Sequence, residues 1–193
     1  MKVVAIILAV LVLIAVIVSG SYVSHRNEMV RLNEAVKSNW AQVETDLQRR
    51  ADLIPNLVET VKGYAAQEQT VFDDIAKART QYMNAQSPSD KIAASNQLYG
   101  LEMKVLALSE NYPQLRSNEN FLRLQDELAG TENRIAVSRK RYNDAIQAYN
   151  TYIGLFPNTL YAGWAGFRRN DAYFQAVEAA QAPPQVQFPG PNR

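Results

Sequence analysis

The residue types that most often carry chemistry are sparse in this chain. Cysteine is absent, which excludes thiolate nucleophiles, disulfides and Cys-ligated zinc or iron–sulfur centres, and His25 is the single histidine. A metal site would have to be built almost wholly from carboxylates, and an imidazole base could only be His25. Two adjacent carboxylate pairs occur, Asp73-Asp74 and Asp126-Glu127. Neighbouring positions on a helix do not face each other, so both pairs read as solvated charges rather than an acid and base working across one bond. Asp46, Arg49, Arg50 and Asp52 lie at three- and four-residue spacings that allow pairing along one helix. Arg50 also falls on an apolar seam, where an arginine implies a carboxylate from a neighbouring helix. That group is expected to form a structural or subunit-interface charge network. No glycine-rich phosphate loop, nucleophile elbow or metal-ligand motif is present, so the expectation is a protein that is not an enzyme and holds no cofactor and no metal.

The elements that must position these residues begin with an anchor. Residues 3–18 are uninterrupted Val, Ile, Leu and Ala, and the stretch stays uncharged through Val23. At about 1.5 Å per residue those 21 residues reach about 31 Å, close to the ~30 Å hydrocarbon core. A cleaved signal peptide has a similar outline, with Lys2 ahead of the apolar run and Ser19-Gly20-Ser21 behind it. The run exceeds the usual hydrophobic region of such a peptide and no Ala-x-Ala follows, which favours a retained single-pass anchor. Lys2 on one side against Arg26, Arg31 and Lys37 on the other tilts the positive-inside count towards a cytoplasmic bundle, with the extracytoplasmic side as the alternative.

Composition allows one ordinary domain behind that anchor. With 47% apolar residues among 193 there is material for a real core, while 20 Lys+Arg against 19 Asp+Glu leave a net charge of +1 and no field to attract nucleic acid. From 29 to 82 the apolar residues fall on a heptad: Met29, Val36, Val43, Leu57, Tyr64, Val71 and Ala78 at one position, and Trp40, Leu47, Ile54, Val61, Ile75 and Tyr82 at the other. The exceptions are Asn33, Arg50 and Glu68. This pattern predicts one long amphipathic helix over 28–86, kinked at Pro55, which lacks an N–H and crowds the carbonyl of Ala51. A helix of that length outruns the later ones, so part of it must protrude, bend or find another chain.

Ser87-Pro88-Ser89-Asp90 reads as a helix start, with Ser87 as N-cap and Pro88 at the first helical position, and Pro113 closes that run near Tyr112. A third run over 118–156 places Phe121, Leu124, Leu128, Ile135, Tyr142, Ala145, Tyr149, Tyr152 and Phe156 on one face, and Glu127, Glu132, Arg139, Lys140 and Asp144 on the other. The predicted fold is all-α, a transmembrane helix followed by an antiparallel up-down-up bundle of long helices with left-handed, coiled-coil-like packing. The segment 158–169 mixes Gly163 and Gly166 with Leu160, Tyr161, Trp164 and Phe167. It reads either as a cap on the bundle end or as a membrane-interface patch in which Tyr22, Trp164 and Phe167 sit at headgroup level and Arg168 and Arg169 meet anionic lipid. The expected organisation is an anchor over 1–25, a bundle over 26–180 and a Pro-rich, disordered tail over 181–193.

Arg49-Arg50-Ala51-Asp52-Leu53-Ile54-Pro55-Asn56-Leu57-Val58, running on to Val61-Lys62-Gly63-Tyr64, resembles the signature of the LemA family of bacterial membrane proteins. Further blocks agree in order: Ala78-Arg79; Asn111-Tyr112-Pro113 with Asn118-Glu119-Asn120-Phe121-Leu122-Arg123-Leu124-Gln125; Glu132-Asn133-Arg134-Ile135-Ala136; Arg141-Tyr142-Asn143-Asp144-Ala145; Phe156-Pro157; and Gly166-Phe167 with Tyr173-Phe174. The chain departs where the family pattern has a His-Glu pair after Gly-Tyr-Ala, carrying Gln67-Glu68 instead.

The resemblance implies a short N-terminus outside, one membrane helix in the bacterial cytoplasmic membrane and a helical bundle, with no established reaction. It also implies a link to membrane organisation and to membrane proteases. Arg49, Arg50, Asp52, Pro55, Asn56, Lys62 and Tyr64 are the signature positions expected to serve interactions. Two functions follow as expectations. One is a bilayer-bound scaffold that forms homo-oligomers through its long helices and organises or shapes the membrane; the other is an adaptor for an envelope protease or signalling protein.

Overall fold

The computed structural model describes residues 1–175, so the expected tail over 181–193 lies outside the described residues. Among the described residues the regular elements are helical: α1 (Lys2–Lys62), α2 (Gln69–Asn84), α3 (Pro88–Ala107), the single turn α4 (Pro113–Arg116), α5 (Glu119–Gly154) and α6 (Asn158–Ala165). α1 runs unbroken from the apolar stretch into the bundle core. Its residues 2–20 are exposed, while Met29, Val36, Val43, Leu47, Ile54, Leu57 and Val61 are buried.

The single helix expected over 28–86 is two helices. The chain turns back at 63–68, where Tyr64 and Ala65 both donate their N–H groups to the Val61 carbonyl at 2.9 Å. α2 then returns along α1, with Phe72 under Lys62 and Arg79 beside Ala51. The heptad hid this reversal because the apolar positions resume in phase after it, with Val71, Ile75, Ala78 and Tyr82 still packed inward. The two seam positions that straddle the turn betray it: Tyr64 is exposed and Glu68 is half-buried. Gly63, with its poor helix propensity, was the available local sign.

α3 starts as expected: the Ser87 hydroxyl accepts the Asp90 N–H at 3.1 Å, with Pro88 at the first position. It runs parallel to α1, from Lys91 against Glu44 to Glu102 against Arg50. α5, capped by the Asn118 side chain on the Phe121 N–H at 3.0 Å, runs back along α1 past Glu132 and Tyr142 to Tyr152. The expected up-down-up bundle is therefore up-down-up-down. On α5, Phe121, Leu124, Leu128, Ile135, Tyr142 and Tyr149 are buried as the pattern implied, whereas Phe156 is 81% exposed.

The α2–α3 hairpin covers one side of the α1/α5 pair only in the half away from the apolar segment. In the near half the cover is an extended strap. Gly166, at φ +77°, ends α6 in the left-handed conformation that glycine adopts without a Cβ clash, and Phe167 donates to the Ala162 carbonyl at 3.0 Å. The chain then lies along α5 from Arg168 to Phe174, ending where Phe174 meets Trp40, Tyr142 and Arg139.

Candidate functional site

Arg50 is 1% exposed in the middle of α1. Its guanidinium pairs with Glu132 of α5 and lies 3.5 Å from Glu102 of α3, itself 3% exposed, while the Tyr99 ring stacks on it with 4.8 Å to the ring centre. The seam arginine thus finds carboxylates across the bundle, as its position implied. Glu132, expected on the solvated face of α5, turns inward for this pair, and Arg139 from the same expected face lies over Phe174 at 4.8 Å. Burial pushes the Glu102 carboxyl above its usual range, partly offset by Arg50, and pulls the Arg50 guanidinium below its own. Taking two charges out of water is costly, so each carboxylate is held in place by the cation it serves.

The expected pairing of Asp46, Arg49, Arg50 and Asp52 along α1 does not form. Asp46 is buried and approached by the Gln42 amide at 3.4 Å, and Arg49 is exposed. Asp52 instead accepts from Gln48 at 2.8 Å and faces Arg79 of α2 at 3.8 Å.

Pro55 explains why Arg79 comes there. Without an N–H it cannot bond the carbonyl four residues back, which is that of Ala51, and a buried carbonyl needs a partner. Arg79 Nε donates to that oxygen at 3.0 Å, so the proline vacates a helix acceptor and α2 fills it. α1 is continuous through Pro55. The rest of the signature ties the far tip. Lys62 pairs with Glu59 at 3.1 Å over the Phe72 ring, and the Tyr64 hydroxyl accepts from Asn118 at 2.9 Å. Gln67 and Glu68, standing where the resemblance leads one to expect His-Glu, both reach the Tyr112 hydroxyl, at 2.5 and 3.3 Å. Asn56 is exposed, like Arg49.

At the other end, His25 bonds the Tyr152 hydroxyl at 2.9 Å and stacks on Tyr161 of α6, which also meets Tyr22 edge-on at 5.8 Å between ring centres. Of the remaining residues expected at a membrane interface, Trp164 is 71% exposed, Phe167 is half-buried against the core, and Arg168 and Arg169 are exposed, Arg169 facing Asp171 at 3.7 Å.

Sequence reasoning missed the strap's attachment. The Asn150 carboxamide donates to the Asn170 carbonyl at 2.7 Å and accepts the Asn170 N–H at 2.9 Å; Asn143 does the same for Phe174 at 2.9 and 3.0 Å. Tyr149 adds a bond to the Arg168 carbonyl at 2.8 Å. Asn143 and Asn150 lie seven residues apart, two helical turns, beside the apolar stripe of α5, and that spacing was the signal.

Among the described residues no group of three or more His, Asp or Glu is placed to hold a metal ion, and the grooves on the surface are not lined by the Arg50 cluster. The arrangement holds helices in register. It brings no base to a nucleophile.

The model of the LemA family matches residues 39–188. Magnetosome protein MamQ 2 of Paramagnetospirillum magneticum is 27% identical over 183 residues, covering 81% of this chain and 67% of the relative. Magnetosome protein MamQ of Magnetospirillum gryphiswaldense is 25% identical over 189 residues, with 83% and 69% covered, and Protein LemA of Metamycoplasma hominis is 22% identical over 158, with 81% and 72% covered. None of these names is an enzyme's. With the family model spanning most of the chain and the signature residues Arg50, Asp52, Pro55 and Tyr64 each accounted for in one helical body, the protein belongs to the LemA family.

Proposed function

We propose that this protein is a non-enzymatic, membrane-tethered helical scaffold that associates with copies of itself. The observation that carries the tether is α1: the apolar segment and the central helix of the bundle are one element with no linker between them. Anything bound to the bundle is thereby held at a set height above the bilayer. The signature side chains Arg50, Asp52 and Tyr64 spend their polar groups on neighbouring helices and turns, which supports a structural role over a catalytic one.

Self-association needs a different basis from the overlong helix read in the sequence, since α2, α3, α5 and the strap cover that seam. A groove of about 370 Å³ on the outer side of the α1/α5 pair supports it instead. Exposed Val137 stands there between Arg134 and Arg141, with Gln42 and Asn133 beside it, an apolar centre with a polar rim of the kind that docks a second copy. Cross-linking followed by mass measurement in detergent tests the reading. A discrete oligomer is expected, reduced to monomer by Val137→Glu with helical content unchanged; a strictly monomeric native protein defeats self-association. Assemblies with their anchors on one rim would organise the bilayer, which imaging of liposomes carrying the protein reads directly.

A further inference from the structure

α6 is an eight-residue helix, Asn158–Ala165, without a single charged side chain. Its inner face is committed to the bundle: Asn158 and Ala162 are buried, Asn158 donates to the Tyr152 carbonyl at 3.0 Å, and Tyr161 packs on His25 and Tyr22. Its outer face is the unusual one. A short surface helix on a soluble body presents polar residues outward, yet here Leu160 is 49% exposed and Trp164 71%, with Phe156 four residues ahead of Leu160 at 81%. Thr159 donates to the Leu155 carbonyl at 2.8 Å, which ties the turn carrying Phe156 to the start of α6. Residues four apart fall on one helical face, so Leu160 and Trp164 form an apolar strip along α6, and exposed Phe156 lies in the turn just ahead of it.

The height of that strip along the molecule is set by α1. The uncharged stretch of α1 ends at Val23, and α6 touches α1 at Tyr22 and His25 through Tyr161, whose ring lies 5.9 Å from that of Trp164. Two guanidinium groups, Arg168 and Arg169, follow directly and are exposed. An uncharged helix with an outward tryptophan, adjoining cations, and a place level with the end of a membrane-length apolar helix has the chemistry of the lipid headgroup boundary, where amphipathic aromatic rings and snorkelling cations are stabilised. We propose that α6 is a second membrane contact: Phe156, Leu160 and Trp164 embed in the leaflet surface beside the exit of α1, with Arg168 and Arg169 against lipid phosphates. The bundle then stands on two feet, one crossing the bilayer and one lying in its surface. Two feet fix rotation about the α1 axis, which one spanning helix leaves free.

This rests on the reading of α1 as a membrane anchor, and the test separates the two. The chain has two tryptophans, so Trp40→Phe, which keeps an aromatic ring against Tyr142, leaves Trp164 as the only indole. The full-length variant is reconstituted into vesicles with and without lipids brominated near the headgroup end of the acyl chain, and resistance to carbonate extraction is measured on the same samples. The expected result is carbonate resistance, about twofold quenching of Trp164 by the brominated lipid, and weak quenching by aqueous iodide. Leu160→Gln, with helical content unchanged, is expected to restore iodide access. A carbonate-resistant protein whose Trp164 is quenched freely by iodide and not by brominated lipid overturns the second contact and leaves the anchor standing. Shielding from both quenchers assigns the strip to a second copy or another protein and also overturns it. Extraction by carbonate removes the anchor and the second contact together.

Discussion

The two halves of the bundle seal the same α1/α5 pair by opposite means. Away from the apolar segment the cover is the α2–α3 hairpin, with a buried ion cluster at Arg50 and apolar side chains around it. Near the segment the cover is the strap over 167–174, held by two carboxamides that grip its backbone. Helical cover is bound by side-chain complementarity spread over many residues, and its cost of failure is shared. The strap is bound at a few polar points and by one buried aromatic, Phe174, so its opening is a local event that leaves the rest of the fold intact.

The largest test of that contrast is Arg50→Met. It strands Glu102 in the core without its cation, and loss of one member of a buried ion pair costs about 3–5 kcal/mol. Thermal unfolding should shift down as one cooperative transition, and Arg50→Met with Glu102→Gln should recover part of the loss. A small shift from Arg50→Met alone would mean the cluster contributes little to the far half.

Asn143→Ala with Asn150→Ala comes next, each leaving strap backbone groups unpaired at about 1–3 kcal/mol. Here the prediction concerns location. Hydrogen exchange should quicken at 168–174 while protection in α2 and α3 holds, and a uniform rise across the bundle would erase the distinction between the halves.

Arg79→Ala should cost about 1–2 kcal/mol through the Ala51 carbonyl it leaves unpaired. In a Pro55→Ala background the restored N–H can take that carbonyl, so the Arg79→Ala penalty should shrink. Additive chemical-denaturation values for the two changes would break the link between proline and arginine.

The smallest effect is a pH slope. Because burial raises the Glu102 carboxyl in the folded state, the folded protein holds that proton to higher pH than the unfolded chain. The resulting stability is fully present below the ordinary carboxyl range and is lost as pH rises through the raised value. Glu102→Gln should therefore flatten the fall in stability on going from about pH 4.5 towards neutrality, measured by denaturation against pH.

What the sequence disclosed divides along the same line as the two halves. Periodicity reports side chains that pack every third or fourth residue, so the faces of α1 and α5 were legible, as was the need of seam residue Arg50 for a carboxylate across the bundle, though not that Glu102 and Glu132 supply it. Phase hid the turn at 63–68, because α2 resumes the same register after it. The strap was illegible because its polar ties at Asn170 and Phe174 are to the backbone, which every residue has, and its buried aromatic, Phe174, falls on no helical period. Only Asn143 and Asn150, on a different helix, carried a trace. Phe156 was misplaced in the core because its spacing matched the stripe, although α5 ends at Gly154 and releases it.

A helix shared by anchor and body is also a lever. From Ser24 to Lys62 α1 rises about 57 Å, so, with its apolar segment spanning a bilayer as proposed, tilting that segment by the ~20° common for such helices would sweep the far end sideways by about 20 Å. Bilayer thickness, which sets that lean, is in this way translated into the lateral reach of the distal tip.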